Sequence, residues 1–383
     1  MFCQRTRGVV QVSKPAASPI SKSAGGFGNP RYGRLVRRSE SVLWRRSLRY
    51  TVFVPILDSI GSLHDVTFAL TAKTIMHHST KASTEIFTLG HSPDPDDAFR
   101  FYAMAEKKID LRGYRFEHRL EDIQTLNERA RRGELHISAI SIHAYAYVAN
   151  NYALLPCGAS MGDGYGPVLV RKHPTSNIQH PPPNASTLQR FNASTGDKAA
   201  RDSLRGRVIA VPGEMTSAFL ALQLFLGKFD YVVVPFDKIF DAVKSGRADA
   251  GLIIHEGQLT YAQAGFEKIV DLGEWWKRET GLPLPLGGNV VRKDIPPAVR
   301  RDLSEIIRES IDYGLAHRND AVRHSLAYAR NIGSKLTDKF IGMYVNEFTR
   351  DYGETGRAAI RKFLDEACDK RFIKVPINLE FVE

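Results

Sequence analysis

The chain has 383 residues, more than a single hydrophobic core usually holds, so its length predicts two packed units. Its apolar fraction of 43% and charged fraction of 25% are ordinary for a soluble globular protein. The net charge of +11 is concentrated, because residues 1–84 carry 13 Lys or Arg and three acids, which leaves 40 basic and 39 acidic residues elsewhere. The remainder is nearly neutral, and we expect no nucleic-acid partner for it.

The cysteine content and the lengths of the apolar runs indicate the cellular compartment in which the protein is expected. Cys3, Cys157 and Cys368 are too few for a disulfide framework, and none belongs to a CxxC pair of the kind that binds zinc. We therefore expect a reducing, cytoplasmic location. The longest apolar run of the amino-terminal segment, residues 52–57, is far shorter than the ~20 residues that span a bilayer. No secretory signal pattern is visible, and we expect no membrane contact.

Residues 1–84 are predicted to be a basic, disordered extension. Residues 1–50 are rich in Arg, Ser and Gly and contain one acid, Glu40. Such a composition buries little apolar surface. Three interpretations stay open: a flexible tail, an Arg- and Ser-rich targeting segment, or an extension upstream of a true start at Met76.

From Glu85 onward the sequence predicts a first α/β unit. Residues 86–90 indicate a short buried strand, which is followed by a loop rich in Pro and Asp and by the start of a helix. A helix is predicted over residues 123–132 and a strand over residues 137–142. Further strands are predicted at residues 154–158 and 167–171.

Residues 173–203 are polar and contain three consecutive prolines, so we predict a long flexible insertion. Beyond it, strands alternate with helices, which predicts a parallel sheet covered on both faces. The predicted strands are residues 208–211, 231–234, 250–254 and 269–272. The predicted helices between them are residues 217–226, 239–244 and 258–264. From Pro296 onward the apolar spacing is helical.

These elements predict a two-lobed α/β fold with a cleft between the lobes. Lobe 1 is predicted to contain residues 85–171 and, because the C-terminal helices must return to cover it, residues 285–383. Lobe 2 is predicted to contain residues 172–284. In open parallel sheets, ligands bind beyond the carboxyl ends of the strands. The candidate site residues are therefore those that follow predicted strands.

Thr216 and Ser217 stand where a glycine turn enters a predicted helix. Free backbone N–H groups and two hydroxyls at a helix N-terminus suit a carboxylate or a phosphate. Alternatively, Thr216 only caps the helix. The segment is not a P-loop, because no Lys follows and the glycine spacing differs.

His255 ends an almost wholly apolar predicted strand and precedes Glu256. An imidazole in this position could act as a base near neutral pH, or it could be a hydrogen-bonded structural group. The HExxH zinc pattern is excluded, because Leu259 occupies the position of the second His.

Two further clusters lie near predicted strand ends. Strand alternation places Ser141 and His143 on the same side, and substrate hydrogen bonding is favoured over covalent catalysis because no GxSxG elbow surrounds the serine. Asp94, Asp96 and Asp97 could suggest a cation site, but their spacing is not that of an EF-hand. We interpret these aspartates as charges at a helix N-terminus.

Six short motifs, taken in order, resemble the 1,4-dihydroxy-6-naphthoate synthases of the futalosine route to menaquinone. The motifs are residues 92–99 (SPDPDDAF), 141–145 (SIHAY), 164–167 (GYGP), 212–218 (PGEMTSA), 255–257 (HEG) and 281–288 (GLPLPLGG). The resemblance covers about residues 85–383, with 173–203 as an insertion. It depends most on the last two motifs.

The resemblance implies a periplasmic-binding-protein-like fold that is used as a cytosolic enzyme. Such enzymes are carbon–carbon lyases that convert cyclic dehypoxanthine futalosine, a small-molecule carboxylate, to 1,4-dihydroxy-6-naphthoate without a metal or organic cofactor. The resemblance assigns the base to His255. It assigns substrate contacts to Ala139, Ile140, Ser141, Thr216 and Ser217.

The sequence departs from the family's pattern in three places. Ala139 stands where Lys is frequent, so a contact there would use the backbone. Ser217 stands where Thr is frequent and keeps a hydroxyl, whereas Asp94 and Asp96 replace Cys and Asn. Two other functions stay open, namely dehydration of chorismate by a sister family of the same fold and solute binding without catalysis, and the second would require export. The oligomeric state is not indicated.

Overall fold

The computed structural model describes residues 86–174, 193–330 and 332–383. The predicted extension at residues 1–84 lies outside these ranges, as do residues 175–192 of the predicted insertion. Within the described ranges, two β-sheets are flanked by helices, which agrees with the predicted two-lobed α/β architecture.

The first sheet combines strands from both ends of the described chain. Its strands are β1 (Ile86–His91), β2 (Arg115–Leu120), β3 (Ile137–Ser141), β4 (Tyr152–Leu154), β5 (Ser160–Gly162) and β11 (Leu284–Arg292). The order is β2–β1–β3–β11–β4, with β5 also paired to β11. β1 is parallel to β2 and β3, whereas β11 is antiparallel to β3, β4 and β5. The carboxyl ends of β1 and β3 therefore point the same way, which brings the segments that follow them together.

The second sheet is built from strands that are consecutive along the chain. They are β6 (Val168–Lys172), β7 (Val208–Val211), β8 (Asp230–Val233), β9 (Ala250–Ile253) and β10 (Phe266–Asp271). The order is β10–β6–β9–β7–β8. β7 is parallel to β8 and β9, and β10 runs in the same direction, so the strands predicted from residue 208 onward share one direction. β6 lies between β9 and β10 and is antiparallel to both, so the sheet as a whole is mixed and not purely parallel.

The pairing of β6 also corrects the predicted lobe boundary. The sequence assigned residues up to 171 to lobe 1, whereas β6 pairs only with β9 and β10 of the second sheet. On strand pairing, the first lobe therefore ends before Val168. The apolar residues of this strand are compatible with either sheet, so the sequence pattern could not predict which strands it pairs with. The remaining lobe limits stay predictions.

Thirteen α-helices are formed by the described residues. They are α1 (Pro95–Arg100), α2 (Tyr102–Ala105), α3 (Ile123–Arg131), α4 (Ile142–Val148), α5 (Ala193–Ser203), α6 (Ser217–Leu226), α7 (Ile239–Lys244), α8 (Leu272–Thr280), α9 (Pro297–Ala316), α10 (Arg318–Ser325), α11 (Ser334–Tyr344), α12 (Glu347–Arg350) and α13 (Gly353–Asp369). α9 returns to the first sheet, because its Leu303 and Ile307 pack in one core with Phe87 and Leu89 of β1.

Helix α5 overturns part of the predicted flexible insertion. Residues 193–203 are helical, and Ala200 and the following Leu204 are buried in the same core as α6. Asp197 forms an ion pair with Arg278 of α8 at 2.5 Å. The segment has short side chains and a polar composition, so its sequence does not indicate which helix face packs against neighbouring residues.

Candidate active site

A cavity of about 110 Å³ lies where the strand ends of the two sheets meet. The residues that line it come from both sheets and from the C-terminal helices. They are Ser92, Asp94, Asp96, Asp97, Arg100, Ile123, Ala139, Ile140, Ser141, Ser160, Pro167, Thr216, Ser217, Ala218, Ile254, Gln258, Leu286, Gly287, Gly288, Phe340 and Tyr344.

The structure brings all five predicted substrate contacts to this one cavity. Ala139, Ile140 and Ser141 are the last three residues of β3. Thr216 and Ser217 are the N-cap and first residue of α6. His255 lies between the lining residues Ile254 and Gln258 along the chain, but its side chain is only 9% exposed and is not part of the lining.

Thr216 is an N-cap with both hydroxyl functions in use. Its Oγ1 accepts from the N–H of Phe219 at 3.1 Å and donates to the carbonyl of Gly213 at 2.9 Å. The capping interpretation of this residue therefore has direct geometric support. Helix geometry leaves the N–H groups of Ser217 and Ala218 without intrahelical acceptors, and both residues line the cavity.

Asn127 is a site residue that the sequence analysis missed. It lies on α3, is fully buried, and its Oδ1 accepts from the N–H of Ser141 at 2.8 Å. Its Nδ2 donates to Oγ of Ser141 at 3.0 Å and to the carbonyl of Met215 at 3.3 Å. One amide thus fixes the end of β3 to the turn before α6. The available signal was a polar residue on the apolar face of α3, beside Leu126 and Ala130.

Ser141 and His143 do not form a nucleophile–base pair. α4 begins at Ile142, so the predicted strand alternation does not reach His143. The N–H of His143 donates to Oγ of Ser217 at 3.1 Å, and its Nδ1 faces the carbonyl of Thr216 at 3.3 Å. Burial lowers the pKa of His143 to about 4, so the ring is neutral and its Nδ1 carries the proton.

The three aspartates lie at the first turn of α1, as predicted, and two share a buried arginine. Arg100 pairs with Asp96 and with Asp97, the latter at 2.9 Å, and also donates to Oγ of Ser160 at 2.9 Å. Burial raises the pKa of Asp96 to about 7; Arg100 opposes this shift, while Asp97 and Asp94 add to it. Asp96 therefore exchanges a proton near neutral pH, within the cavity wall.

His255 is held at the N-cap of a single 3-10 turn, Glu256–Leu259. Its Nδ1 accepts from the N–H of Gly257 at 3.0 Å, and its ring contacts those of Phe236 and Phe240 edge-on. Burial lowers the pKa of His255, whereas Glu256 and Asp94 raise it. Nε2 is buried and has no hydrogen-bond partner within the described part of the chain.

Two residues of the C-terminal helical region reach this turn. Arg330, after α10, bonds the carboxylates of Glu256 and Asp94. Tyr344 of α11 donates to Oε1 of Gln258 at 2.6 Å. Both contacts join the turn after β9 of the second sheet to the C-terminal helical region. Neither could be predicted from sequence spacing, because the partners are 74 or more residues apart.

Residues 86–174, 193–330 and 332–383 form neither a metal-ligand cluster nor a membrane span. No group of three or more His, Cys, Asp or Glu side chains in these ranges is arranged to hold a metal ion. No helix there is both long and apolar enough to cross a bilayer.

The architecture is that of the periplasmic-binding-protein-like folds. A solved structure of the alkanesulfonate-binding protein SsuA from Xanthomonas axonopodis pv. citri matches with a TM-score of 0.53 at 11% identity, over 76% of this chain and 96% of that chain. This likeness concerns the fold alone. A crystal structure of a protein from Archaeoglobus fulgidus matches with a TM-score of 0.66 at 38% identity, over 76% of this chain and 100% of that chain.

The chain belongs to the menaquinone biosynthesis family, whose model matches residues 87–369. A relative from Thermus thermophilus is 36% identical over 283 residues, 74% of this chain and 94% of its own length. A relative from Streptomyces coelicolor is 34% identical over 293 residues, 75% of this chain and 94% of its own length. Both are named 1,4-dihydroxy-6-naphthoate synthase. The family resemblance inferred from the six motifs is confirmed.

Proposed function

We propose that this chain is a 1,4-dihydroxy-6-naphthoate synthase of the cytoplasm, a carbon–carbon lyase that acts on cyclic dehypoxanthine futalosine without a metal or organic cofactor. One observation carries the proposal: the five residues assigned to substrate contacts converge on a single cavity beside His255. The names of the two relatives support the same activity.

The start of α6 is proposed to bind the substrate carboxylate. Ser217 lines the cavity, and its Oγ accepts from His143, so the hydroxyl hydrogen stays available for a ligand oxygen. The N–H groups of Ser217 and Ala218 point along the helix toward the same region, where the helix dipole favours an anion. Thr216 contributes by capping this turn.

His255 is proposed to be the general base. Aromatisation of the substrate ring requires removal of a carbon-bound proton, and an imidazole that is neutral near pH 7 can accept it. Burial lowers the pKa of His255, which keeps the ring neutral. Nε2 is the ring nitrogen without a partner among the described residues, so it is the atom proposed to receive the proton.

The activity is tested by incubating the purified protein separately with cyclic dehypoxanthine futalosine and with chorismate, and separating the products by chromatography. Dihydroxynaphthoate from the first substrate alone, unaffected by a chelator, is the expected result. Product from chorismate alone would identify the sister dehydratase activity. Binding without product from either substrate would identify a solute-binding protein.

A further inference from the structure

Arg330 joins the two sides of the cleft through three hydrogen bonds. Its main-chain N–H donates to Oε1 of Glu256 at 3.1 Å, and Nη1 donates to Oε2 at 2.8 Å. Nη2 donates to Oδ1 of Asp94 at 2.7 Å. Asp94 follows β1 of the first sheet and Glu256 follows β9 of the second. The guanidinium also lies 4.6 Å from the ring centroid of Phe236, which packs against His255.

Glu256 is a buried carboxylate beside the proposed base. Its side chain is 3% exposed, and Oε2 lies 3.8 Å from Nδ1 of His255. A buried carboxylate stays ionised only when it is paired and hydrogen-bonded. Both of its oxygens accept from Arg330, so the arginine supplies that pairing.

The tautomer of His255 decides whether Nε2 can act as a base. While Nδ1 accepts from the N–H of Gly257, the neutral ring carries its proton on Nε2, and that nitrogen has no lone pair to offer. Nε2 becomes basic when the proton lies on Nδ1, which then needs an acceptor. The nearest charged acceptor is Oε2 of Glu256, and a carboxylate in this position fixes a histidine base in the same way in other enzymes.

We propose that Arg330 is a positioning residue for the reaction: it holds the Glu256 carboxylate as the acceptor for Nδ1–H of His255 and, through Asp94, makes that arrangement depend on contact between the two lobes. This inference rests on the proposed function, because it assigns His255 the role of base. Arg330 itself does not line the cavity and acts through Glu256.

The charges around His255 give the inference a directional test. The groups that act on the imidazole are Glu256, Asp94 and Asp237, which raise its pKa, and Arg330, which lowers it. Replacing Arg330 with Gln leaves the buried Glu256 carboxylate without its pairing partner, so the ring should lose the acceptor for its Nδ1–H and fewer rings should carry the proton on Nδ1. Replacing Glu256 with Gln should shift the tautomer in the same direction and should also lower the pKa of His255, because Glu256 is the main charge that raises it. A pair that only joined the two lobes would leave the tautomer unchanged.

The experiment uses the full chain labelled with ¹⁵N-histidine and compares wild type with Arg330→Gln, Arg330→Lys and Glu256→Gln. The His255 signal is assigned from its loss in His255→Asn. The ¹⁵N shifts report both the pKa and the ring nitrogen that carries the proton, and need no substrate. Arg350→Gln is the matched control, since it breaks an exposed pair with Asp312.

In wild type, the share of rings protonated on Nδ1 should exceed that in Arg330→Gln and Glu256→Gln, and Glu256→Gln should lower the pKa of His255. Turnover should fall at least about 10-fold in both, as part of the 10²–10⁴ that a general base contributes, with partial rescue by Arg330→Lys. Equal tautomer shares in all variants would overturn the inference.

Failure of the inference can be told apart from failure of the proposed function. If wild type makes dihydroxynaphthoate but Arg330→Gln has unchanged turnover and unchanged ¹⁵N shifts, only the positioning role is wrong. If wild type makes no product, the proposed activity is wrong, and the ¹⁵N shifts still decide whether Arg330 controls the His255 ring. A variant that loses the signals of the other histidines has unfolded, and Arg330→Lys then decides the question.

Discussion

The main-chain N–H of His143 donates to Oγ of Ser217 at 3.1 Å, which ties the first turn of α4 to the first turn of α6. His143 follows β3 of the first sheet, and Ser217 follows β7 of the second. The imidazole adds contacts to the carbonyl of Thr216 and to the hydroxyl of Tyr147. The N–H and Nδ1 of His143 thus join the two sides of the cleft, whereas Nε2 contacts Tyr147 of its own helix.

Substituting the two residues at the start of α6 should give different phenotypes. Thr216→Ala removes an N-cap and should lower the free energy of unfolding by about 1 kcal/mol. Ser217→Ala removes the proposed donor to the substrate carboxylate and should raise KM roughly 10- to 100-fold, since hydrogen bonds to charged groups contribute about 1.5–3 kcal/mol. Thermal melts and steady-state kinetics on both variants test the pair. A larger KM change in Thr216→Ala than in Ser217→Ala would contradict this division.

His255→Asn should lower turnover by about 10²–10⁴-fold while leaving substrate affinity nearly unchanged. In wild type, turnover should fall as the pH drops through the pKa of His255, because the protonated ring cannot accept a proton. Burial lowers that pKa, so the midpoint should lie below the ordinary value of 6.5. Kinetics between pH 5 and 8 measure the profile. Retention of most of the turnover in the Asn variant would make His255 structural.

Asp96→Asn should change how stability depends on pH. The folded-state pKa of Asp96, about 7, lies above the ordinary carboxyl value of 3.8, so the native state holds a proton that the unfolded chain releases. The stabilisation from this proton is complete below about pH 4 and is lost as the pH rises to about 7. The difference in melting temperature, variant minus wild type, should therefore be more positive at pH 8 than at pH 5. Asp365→Asn, at an exposed position, is the control, and a parallel response in both variants would refute the assignment.

Gly213→Ala should weaken the contact between α3 and the turn before α6. A Cβ at this position would lie 2.3 Å from Oε1 of Gln124, the atom that accepts from the N–H of Met215 at 3.1 Å. The flexible Gln124 side chain would have to move away, and loss of its hydrogen bond to Met215 should cost about 0.5–1.5 kcal/mol in unfolding free energy. Gly196→Ala, with open space around its Cβ on α5, should instead gain up to about 1 kcal/mol. Chemical denaturation compares them.

The sequence predicted helices and strands that depend on neighbouring residues, but it did not predict contacts between residues that are far apart along the chain. Asp96 and Asp97 are in the first turn of α1 as expected, but the link from Asp94 to Arg330 spans 236 positions and has no local signal. The predicted helix over residues 258–264 is wrong, since the structure has only the 3-10 turn Glu256–Leu259 followed by further turns.

Helix boundaries next to strands were the other source of error. The apolar run from β3 into α4 has no break, so alternation could not show that the chain turns helical at Ile142. The family motifs nevertheless located the cavity, because they include the residues that follow β1, β3 and β7. Their chemical roles remain predictions, since geometry alone shows where Thr216, Ser217 and His255 lie.

The position of β11 in the first sheet sets the order in which the two sheets can be completed on the ribosome. β11 lies between β3 and β4, yet it is the last strand of either sheet to be synthesised. All five strands of the second sheet, from β6 to β10, are available earlier. Because domains fold as their sequence emerges, the second sheet should form while β3 and β4 still lack the strand that joins them. Ribosome-bound chains stalled near Ser310, in which β10 has left the exit tunnel and β11 is still inside it, should show this by protease protection.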